Sequence, residues 1–276
     1  MPTERSTLPV LETPRVIEPK QRSRSWSLAT TLVLPLSLLI GWTLLAKSSL
    51  VPPLALPTPW GTLLELKAMY LHQDLVFNIG VSLTRASLGL LLGAGIGFII
   101  GLIAGLSTVG EELFDSTLQM LRAVPFIALV PLFILWFGIG ETPKILVIAL
   151  ASYFPMYLNT ARGVRNVDRK VVESAKSFGL RGLSLVRRVL LPLALPQIMT
   201  GLSLSMMFSV LALVAAEQIS SQNGIGYLLI QSQSFQRNYE VFACVVLYAL
   251  MGLCASAIVK LLEHFLLPWR KGVAVR

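Results

Sequence analysis

Charged side chains are scarce in this sequence of 276 residues. They make up 13% of it, whereas hydrophobic residues make up 54%. A typical soluble domain holds about 25% charged residues. Together with a mean hydropathy of +0.72, this composition excludes an ordinary soluble domain and indicates one integral membrane bundle.

Cysteine and histidine are nearly absent. Cys244 and Cys254 lie in one apolar run. Two cysteines are too few for a disulfide framework, so we interpret both as small buried hydrophobic residues. His72 and His264 are far apart in the sequence and fall on opposite predicted sides of the membrane, so no metal site is predicted.

Catalytic and nucleotide-binding motifs are missing as well. The sequence contains no H-E-x-x-H, no G-x-S-x-G and no G-x-x-x-x-G-K-[ST]. We therefore predict that the chain is not an enzyme and carries no cofactor. If a nucleotide powers this protein, another chain must bind it.

Long apolar runs are what the sequence does contain. About 20 apolar residues are needed to cross the hydrocarbon core of a bilayer. Six runs meet that length: 26–46, 79–106, 120–139, 143–162, 196–216 and 240–262. Every backbone N–H and C=O group in lipid needs an internal partner, so runs of this length predict helices rather than barrel strands. The predicted fold is an all-α, polytopic bundle of six transmembrane helices.

The lysines and arginines are distributed unevenly along the chain. If the N-terminus is cytoplasmic, 18 of the 23 fall on the inside, as the positive-inside rule requires. Both termini are therefore predicted to be cytoplasmic. The net charge of +9 then fits an anionic lipid leaflet, and no nucleic acid partner is predicted.

The span pattern divides the chain into three parts. Residues 1–25 contain four prolines and mixed charges, which predicts a flexible cytoplasmic tail. Residues 26–267 form the predicted six-helix domain. Residues 268–276 form a cytoplasmic C-terminal tail.

Glycine recurs every four residues in the second predicted span. The positions are Gly89, Gly93, Gly97, Gly101 and Gly105. Such a stripe lets another helix backbone approach closely in lipid, so these residues are predicted to serve helix packing. Because four residues exceed one turn of 3.6, we expect a crossing helix rather than a parallel seam.

Five residues are candidates for a transport pathway. Pro125 and Pro131 can kink the third span, and kinked helices often lie beside a pathway. Arg122 lies near the predicted cytoplasmic end of that span, Arg85 enters the second span from outside, and Glu217 closes the fifth. Packing, interfacial anchoring and loop capping are the alternative roles for these residues.

The segment 163–192 is the most basic part of the chain. The apolar residues that recur there at helical spacing, and predict a short amphipathic helix, are Val171, Val172, Ala175 and Phe178. Gly179 follows in a position suited to a helix C-cap, and a second apolar face continues to Pro192. This helix–glycine–helix element could dock a partner or lie on lipid.

A resemblance to a known family favours the docking of a partner over an interfacial position on lipid. The residues "ESAKSFG", followed by "VLLP", resemble the EAA loop of ATP-binding-cassette importer permeases. The positions that match are Glu173, Ala175, Gly179, Val189, Leu191 and Pro192, with Ser174 in place of the second alanine. The resemblance covers roughly residues 75–268. Within it, "DSTLQMLRAVPFIALVPLFILWFGIGE" and "AEQISSQNGIGYLL" are similar to the nitrate/sulfonate/taurine branch, above all to aliphatic-sulfonate permeases.

This resemblance implies the fold, partners and cargo of a type I importer permease. Two copies, here a homodimer, would form the pore in the bacterial inner membrane. The EAA loop would be a coupling helix that seats in a cytoplasmic ATPase subunit, where ATP and Mg bind, and a solute-binding protein would deliver solute outside. The implied ATPase-coupling residues are Glu173, Ser174, Ala175, Phe178 and Gly179. The implied cargo is a small organic anion, an aliphatic sulfonate first, with taurine, nitrate or bicarbonate as alternatives.

Two functions from other classes of membrane protein remain alternatives to the importer permease. A secondary transporter driven by an ion gradient would need ionisable groups at mid-membrane and often an internal repeat. An intramembrane enzyme would need catalytic side chains near the middle of a span. Only the importer requires a separate ATPase.

Overall fold

The computed structural model describes residues 24–48, 52, 55–107, 124–219 and 221–268, with side chains from residue 33 onward. This part of the chain contains helices and no strand, which confirms the all-α prediction. The helices are α1 (Arg24–Lys47), α2 (Pro59–His72), α3 (Leu75–Leu106), α4 (Val130–Phe137), α5 (Glu141–Arg165), α6 (Arg169–Ser177), α7 (Gly182–Gln218), α8 (Ile225–Ser234) and α9 (Asn238–Leu266). Within α7, residues Val186–Leu190 form a π-helical turn.

Four of the described helices are long and apolar enough to cross a membrane, namely α3, α5, α7 and α9. They contain the predicted second, fourth, fifth and sixth spans. The first predicted span coincides with α1, a helix of 24 residues. The third, 120–139, is described only from residue 124. There it consists of a 3₁₀ turn, Phe126–Leu129, and the eight-residue helix α4.

The two prolines of the third predicted span begin helical segments instead of kinking one. Pro125 caps the 3₁₀ turn in an extended conformation, and Pro131 lies in the first turn of α4. A first-turn residue has no intrahelical acceptor for its N–H group, so proline is tolerated there. In the described residues, the third span is therefore a 3₁₀ turn followed by a short helix, and not the single kinked helix that was expected.

The glycine stripe of α3 packs directly on α5. A Cβ atom added to Gly97 would stand 2.5 Å from the carbonyl oxygen of Tyr153, and one added to Gly101 would stand 2.6 Å from that of Tyr157. The other stripe positions at which a Cβ atom would meet α5 are Gly89, Gly93 and Gly105. Each step meets α5 about one turn further on, so the helices run side by side. The expected crossing is wrong, because a partner helix can wind along a drifting stripe.

Helix α7 runs antiparallel to α5 and completes the centre of the bundle. Gly201 of α7 lies against Asn159, and the Ser205 hydroxyl donates to the carbonyl oxygen of Ser152 at 2.7 Å. The bundle thus has two ends. At the basic end, α3 and α5 finish and the arginine-rich residues 162–188 lie. At the opposite end, α3 and α5 begin and α7 meets α8.

The two cysteines have different surroundings. Cys244 is fully buried in the core, as predicted, whereas Cys254 is exposed on α9. The interpretation of Cys254 as a buried residue is wrong, because an apolar span can turn one of its faces toward lipid instead of toward protein.

Candidate functional site

The basic end carries the short helix predicted from the sequence, α6, with fixed boundaries. It begins at Asp168, whose carboxylate accepts a hydrogen bond at 2.8 Å from the backbone of the second helical residue. It ends at Gly179, which has φ +83° and donates to the carbonyl oxygen of Lys176 at 3.0 Å. Leu180 donates to the carbonyl oxygen of Ala175 at 3.1 Å. This is a Schellman motif, which confirms the predicted C-cap at Gly179.

The candidate coupling residues share this one element. Ala175 is buried, whereas Glu173, Ser174, Phe178 and Gly179 are on the surface. Phe178 is 87% exposed, although burial of a phenylalanine side chain stabilises by about 1.5–3 kcal/mol. The structure therefore presents an apolar ring on the surface at the basic end.

The opposite end contains a buried ion pair between α3 and α7. Arg85 is 3% exposed and Glu217 is 1% exposed. The Arg85 Nη1 atom donates to Glu217 Oε1 at 2.7 Å. The Nε and Nη2 atoms of Arg85 donate to the carboxylate of Glu141, Nη2 at 2.6 Å. This bidentate, charge-assisted contact joins α3 to the start of α5.

The Glu217 carboxylate also holds the loop before α8. It accepts hydrogen bonds from the Ser82 hydroxyl at 2.7 Å, the Gly226 N–H group at 2.9 Å and the Tyr248 hydroxyl at 3.0 Å. A Cβ atom added to Gly226 would clash with Glu217. A carboxylate that accepts this many hydrogen bonds is fully satisfied, which a buried charge requires.

Sequence reasoning selected Arg85 and Glu217 separately, and the structure brings them together. It missed the partners Glu141, Ser82 and Tyr248. An available signal was that an arginine and a glutamate both fall where predicted spans reach the same side. Pairing them needed the helix arrangement, because the two residues are 132 positions apart.

A cavity of about 640 Å³ lies near the basic end, between the segment before α4, α5 and α7. Its walls include Phe126 and Leu129, Phe154 of α5 and Phe208 of α7. Arg162 and Asn159 contribute polar groups to its lining.

The pathway candidates fall in different places. Pro125 lines this cavity, whereas Pro131 does not. Arg85 and Glu217 belong to the ion network at the opposite end. Arg122 lies outside the described residues.

Residues 93–268, more than half of the chain, match the family described as "Binding-protein-dependent transport system inner membrane component". The chain belongs to this permease family. It is a multi-pass inner-membrane pore subunit, and the ATPase is a separate chain. The permease works with an ATPase and with a binding protein. The predicted likeness to importer permeases is confirmed.

Curated relatives resemble the permease over most of its length. It is 41% identical to a Bacillus subtilis protein named as an aliphatic sulfonates transport permease protein, over 87% of each chain. It is 42% identical to an Escherichia coli protein of the same name, over 86% of this chain and 90% of the relative. The taurine transport system permease protein of Escherichia coli is 32% identical, over 92% and 93%.

A solved structure shares the fold. An amino acid ABC transporter superposes on the permease with a TM-score of 0.60 at 19% identity, over 72% of this chain and 97% of the other. At this identity the likeness shows the fold alone, which confirms the importer-permease architecture.

Proposed function

We propose that this permease forms the pathway for small organic anions and that aliphatic sulfonates are its substrates. The observation that carries the proposal is the identity of 41–42% over most of the chain with two relatives named for aliphatic sulfonates. Taurine is the second candidate, since the taurine permease is 32% identical over nearly the same length. Nitrate and bicarbonate are further alternatives.

The basic end is proposed to face the cytoplasm, with α6 as the coupling helix. The arginine content of residues 162–188 supports this orientation. A short element with fixed ends suits a rigid-body movement between chains, and α6 has an N-cap and a Schellman motif. The proposed coupling residues are Glu173, Ser174, Ala175, Phe178 and Gly179. Ala175 is buried and packs α6 against the permease, and the four exposed residues form the proposed contact with the ATPase, where ATP and Mg bind.

The remaining assignments follow from this orientation. A second copy of the chain completes the pore, and the solute-binding protein docks at the opposite end. Residues 1–25 and 268–276 are proposed as cytoplasmic tails that flank the transmembrane domain 26–267. We assign Arg85 and Glu217 to holding the outer end of the pathway together, because both are buried and fully hydrogen-bonded.

Growth of a strain that lacks this chain tests the substrate. The strain is given hexanesulfonate, taurine or sulfate as the only sulfur source, or nitrate as the only nitrogen source. We expect growth to fail on hexanesulfonate alone and to return with the intact chain. A defect on nitrate only, or no defect at all, would overturn the sulfonate assignment.

Gly179→Asp tests the coupling contact. Apart from the chain neighbours of Gly179, no described residue has an atom within 4 Å of its Cβ position, and aspartate is among the residues that tolerate a left-handed backbone. The variant should therefore insert in the membrane, yet lose uptake and fail to retain the ATPase, because the added side chain occupies the partner's space.

Gln236→Asp is the matched control. Gln236 also has a positive φ, +55°, is exposed, and lies between α8 and α9, away from the basic end. This variant should still retain the ATPase during purification. Normal uptake by Gly179→Asp would remove α6 from the coupling role.

A further inference from the structure

The cavity near the basic end is elongated along α5. Its lining residues on that helix run from Leu150 to Arg162, and at 1.5 Å per residue this span measures about 18 Å. Aromatic rings from three elements form its walls: Phe126 before α4, Phe154 of α5 and Phe208 of α7. The cavity is therefore a long slot with an apolar interior.

Its polar groups gather at one end. Arg162 lies in the last turn of α5 and is the one charged residue among the described residues that line the slot. It forms no ion pair with any residue that the structure describes. Its guanidinium group is thus available to an anion at the mouth of an otherwise apolar space.

Asn159, one turn before Arg162, is held in place. Its Oδ1 atom accepts a hydrogen bond from Gln197 at 2.8 Å, and its Nδ2 atom donates to the carbonyl oxygen of Pro155 at 2.8 Å. An amide nitrogen carries two hydrogens, so one donor remains beside the arginine. A guanidinium and an amide N–H on adjacent turns suit an oxyanion.

We propose that this slot binds the aliphatic sulfonate inside the permease during transport. The sulfonate group lies on Arg162 and Asn159, and the alkyl chain lies against Phe154 and the other rings. The inference rests on the proposed function and adds to it: the permease, as well as the binding protein, selects sulfonates that carry a chain. Small hydrophilic anions would gain nothing from the apolar walls.

Chain length gives the expected magnitude. Each CH₂ group buried in an apolar site tightens binding about fourfold. Propane- to hexanesulfonate adds three such groups, so affinity should rise by up to about sixtyfold over the series. Taurine, with a charged amine in place of further carbons, should bind far more weakly.

The test uses the permease–ATPase complex in lipid nanodiscs, without the binding protein. Calorimetry measures direct binding of propane-, butane- and hexanesulfonate. We expect binding that tightens with chain length. Phe154→Ala should flatten that dependence, Arg162→Met should reduce affinity for every member at least tenfold, and Arg162→Lys should retain most of it. Phe265→Ala, at an exposed ring of α9 that does not line the slot, is the matched control and should change nothing.

Uptake by the complete transporter in proteoliposomes separates the two proposals. If hexanesulfonate is transported but the permease alone does not bind it, and Phe154→Ala leaves the chain-length profile unchanged, the proposed function stands and the slot proposal fails. The same result is expected if a lipid acyl chain fills the slot. If no alkanesulfonate is transported, the proposed function fails and this inference fails with it.

Discussion

The buried pair of Arg85 and Glu217 permits a quantitative test of how the opposite end of the bundle is held together. Removal of one partner from a buried ion pair typically costs about 3–5 kcal/mol, because the other charge stays buried without compensation. Glu141 still binds Arg85 when Glu217 is lost, and three neutral donors still bind Glu217 when Arg85 is lost. We therefore expect Arg85→Met and Glu217→Met each to cost about 3 kcal/mol.

The double variant isolates the interaction between the two side chains. It removes both charges at once, so its cost should fall short of the sum of the single costs. Coupling energies for residues in one network are about 0.5–3 kcal/mol. A fully buried, charge-assisted contact of 2.7 Å should fall in the upper half of that range.

Equilibrium unfolding by SDS in mixed micelles measures these free energies. The matched control is the pair Arg169→Met and Glu173→Met, which removes an ion pair of 2.9 Å whose side chains are 91% and 61% exposed. Its coupling should not exceed about 0.5 kcal/mol. Single costs at Arg85 and Glu217 below about 1 kcal/mol, or strictly additive costs, would refute the reasoning that this ion pair holds the opposite end of the bundle together.

Two further predictions concern packing and coupling. Gly97→Leu should lower the free energy of unfolding by about 1–3 kcal/mol, because its side chain would meet the backbone of α5. Gly95→Leu should be neutral, because no described residue outside its own helix lies within 4 Å of the Cβ position. Thermal unfolding in detergent compares the two variants. Phe178→Ala should leave stability unchanged, since the ring is 87% exposed, but should weaken ATPase retention at least tenfold in a pull-down titration. Equal destabilisation by both leucines, or undiminished retention, would contradict these expectations.

Features that depend on neighbouring residues were predictable from the sequence. The helices follow from apolar runs whose backbone groups must be satisfied internally in lipid. The C-cap at Gly179 was predictable because the helical spacing of apolar residues ends there, and glycine adopts the left-handed conformation of a helix end at the lowest steric cost. The glycine stripe of α3 predicted a close helix contact, since a period of four keeps small residues near one face of the helix.

Features that depend on distant residues were not predictable in this way. The stripe did not reveal that α5 follows it over several turns. The two prolines predicted a kink, whereas in the described residues they begin the 3₁₀ turn and α4. A proline in a helix interior removes a backbone hydrogen bond, whereas one in the first turn removes none, and only the packing around the segment decides which of these positions the proline takes.

The sequence by itself determined the class of the protein, its long apolar helices and the short capped helix α6, because each of these follows from composition or from contacts within a few residues. The tertiary structure alone decided that Arg85 meets both Glu141 and Glu217, and that Asn159 and Arg162 stand at the mouth of an apolar slot. The three charged residues come from separate helices, as do the walls of the slot, and their distances depend on how the helices are ordered and tilted in the bundle. No local pattern in the chain encodes that arrangement.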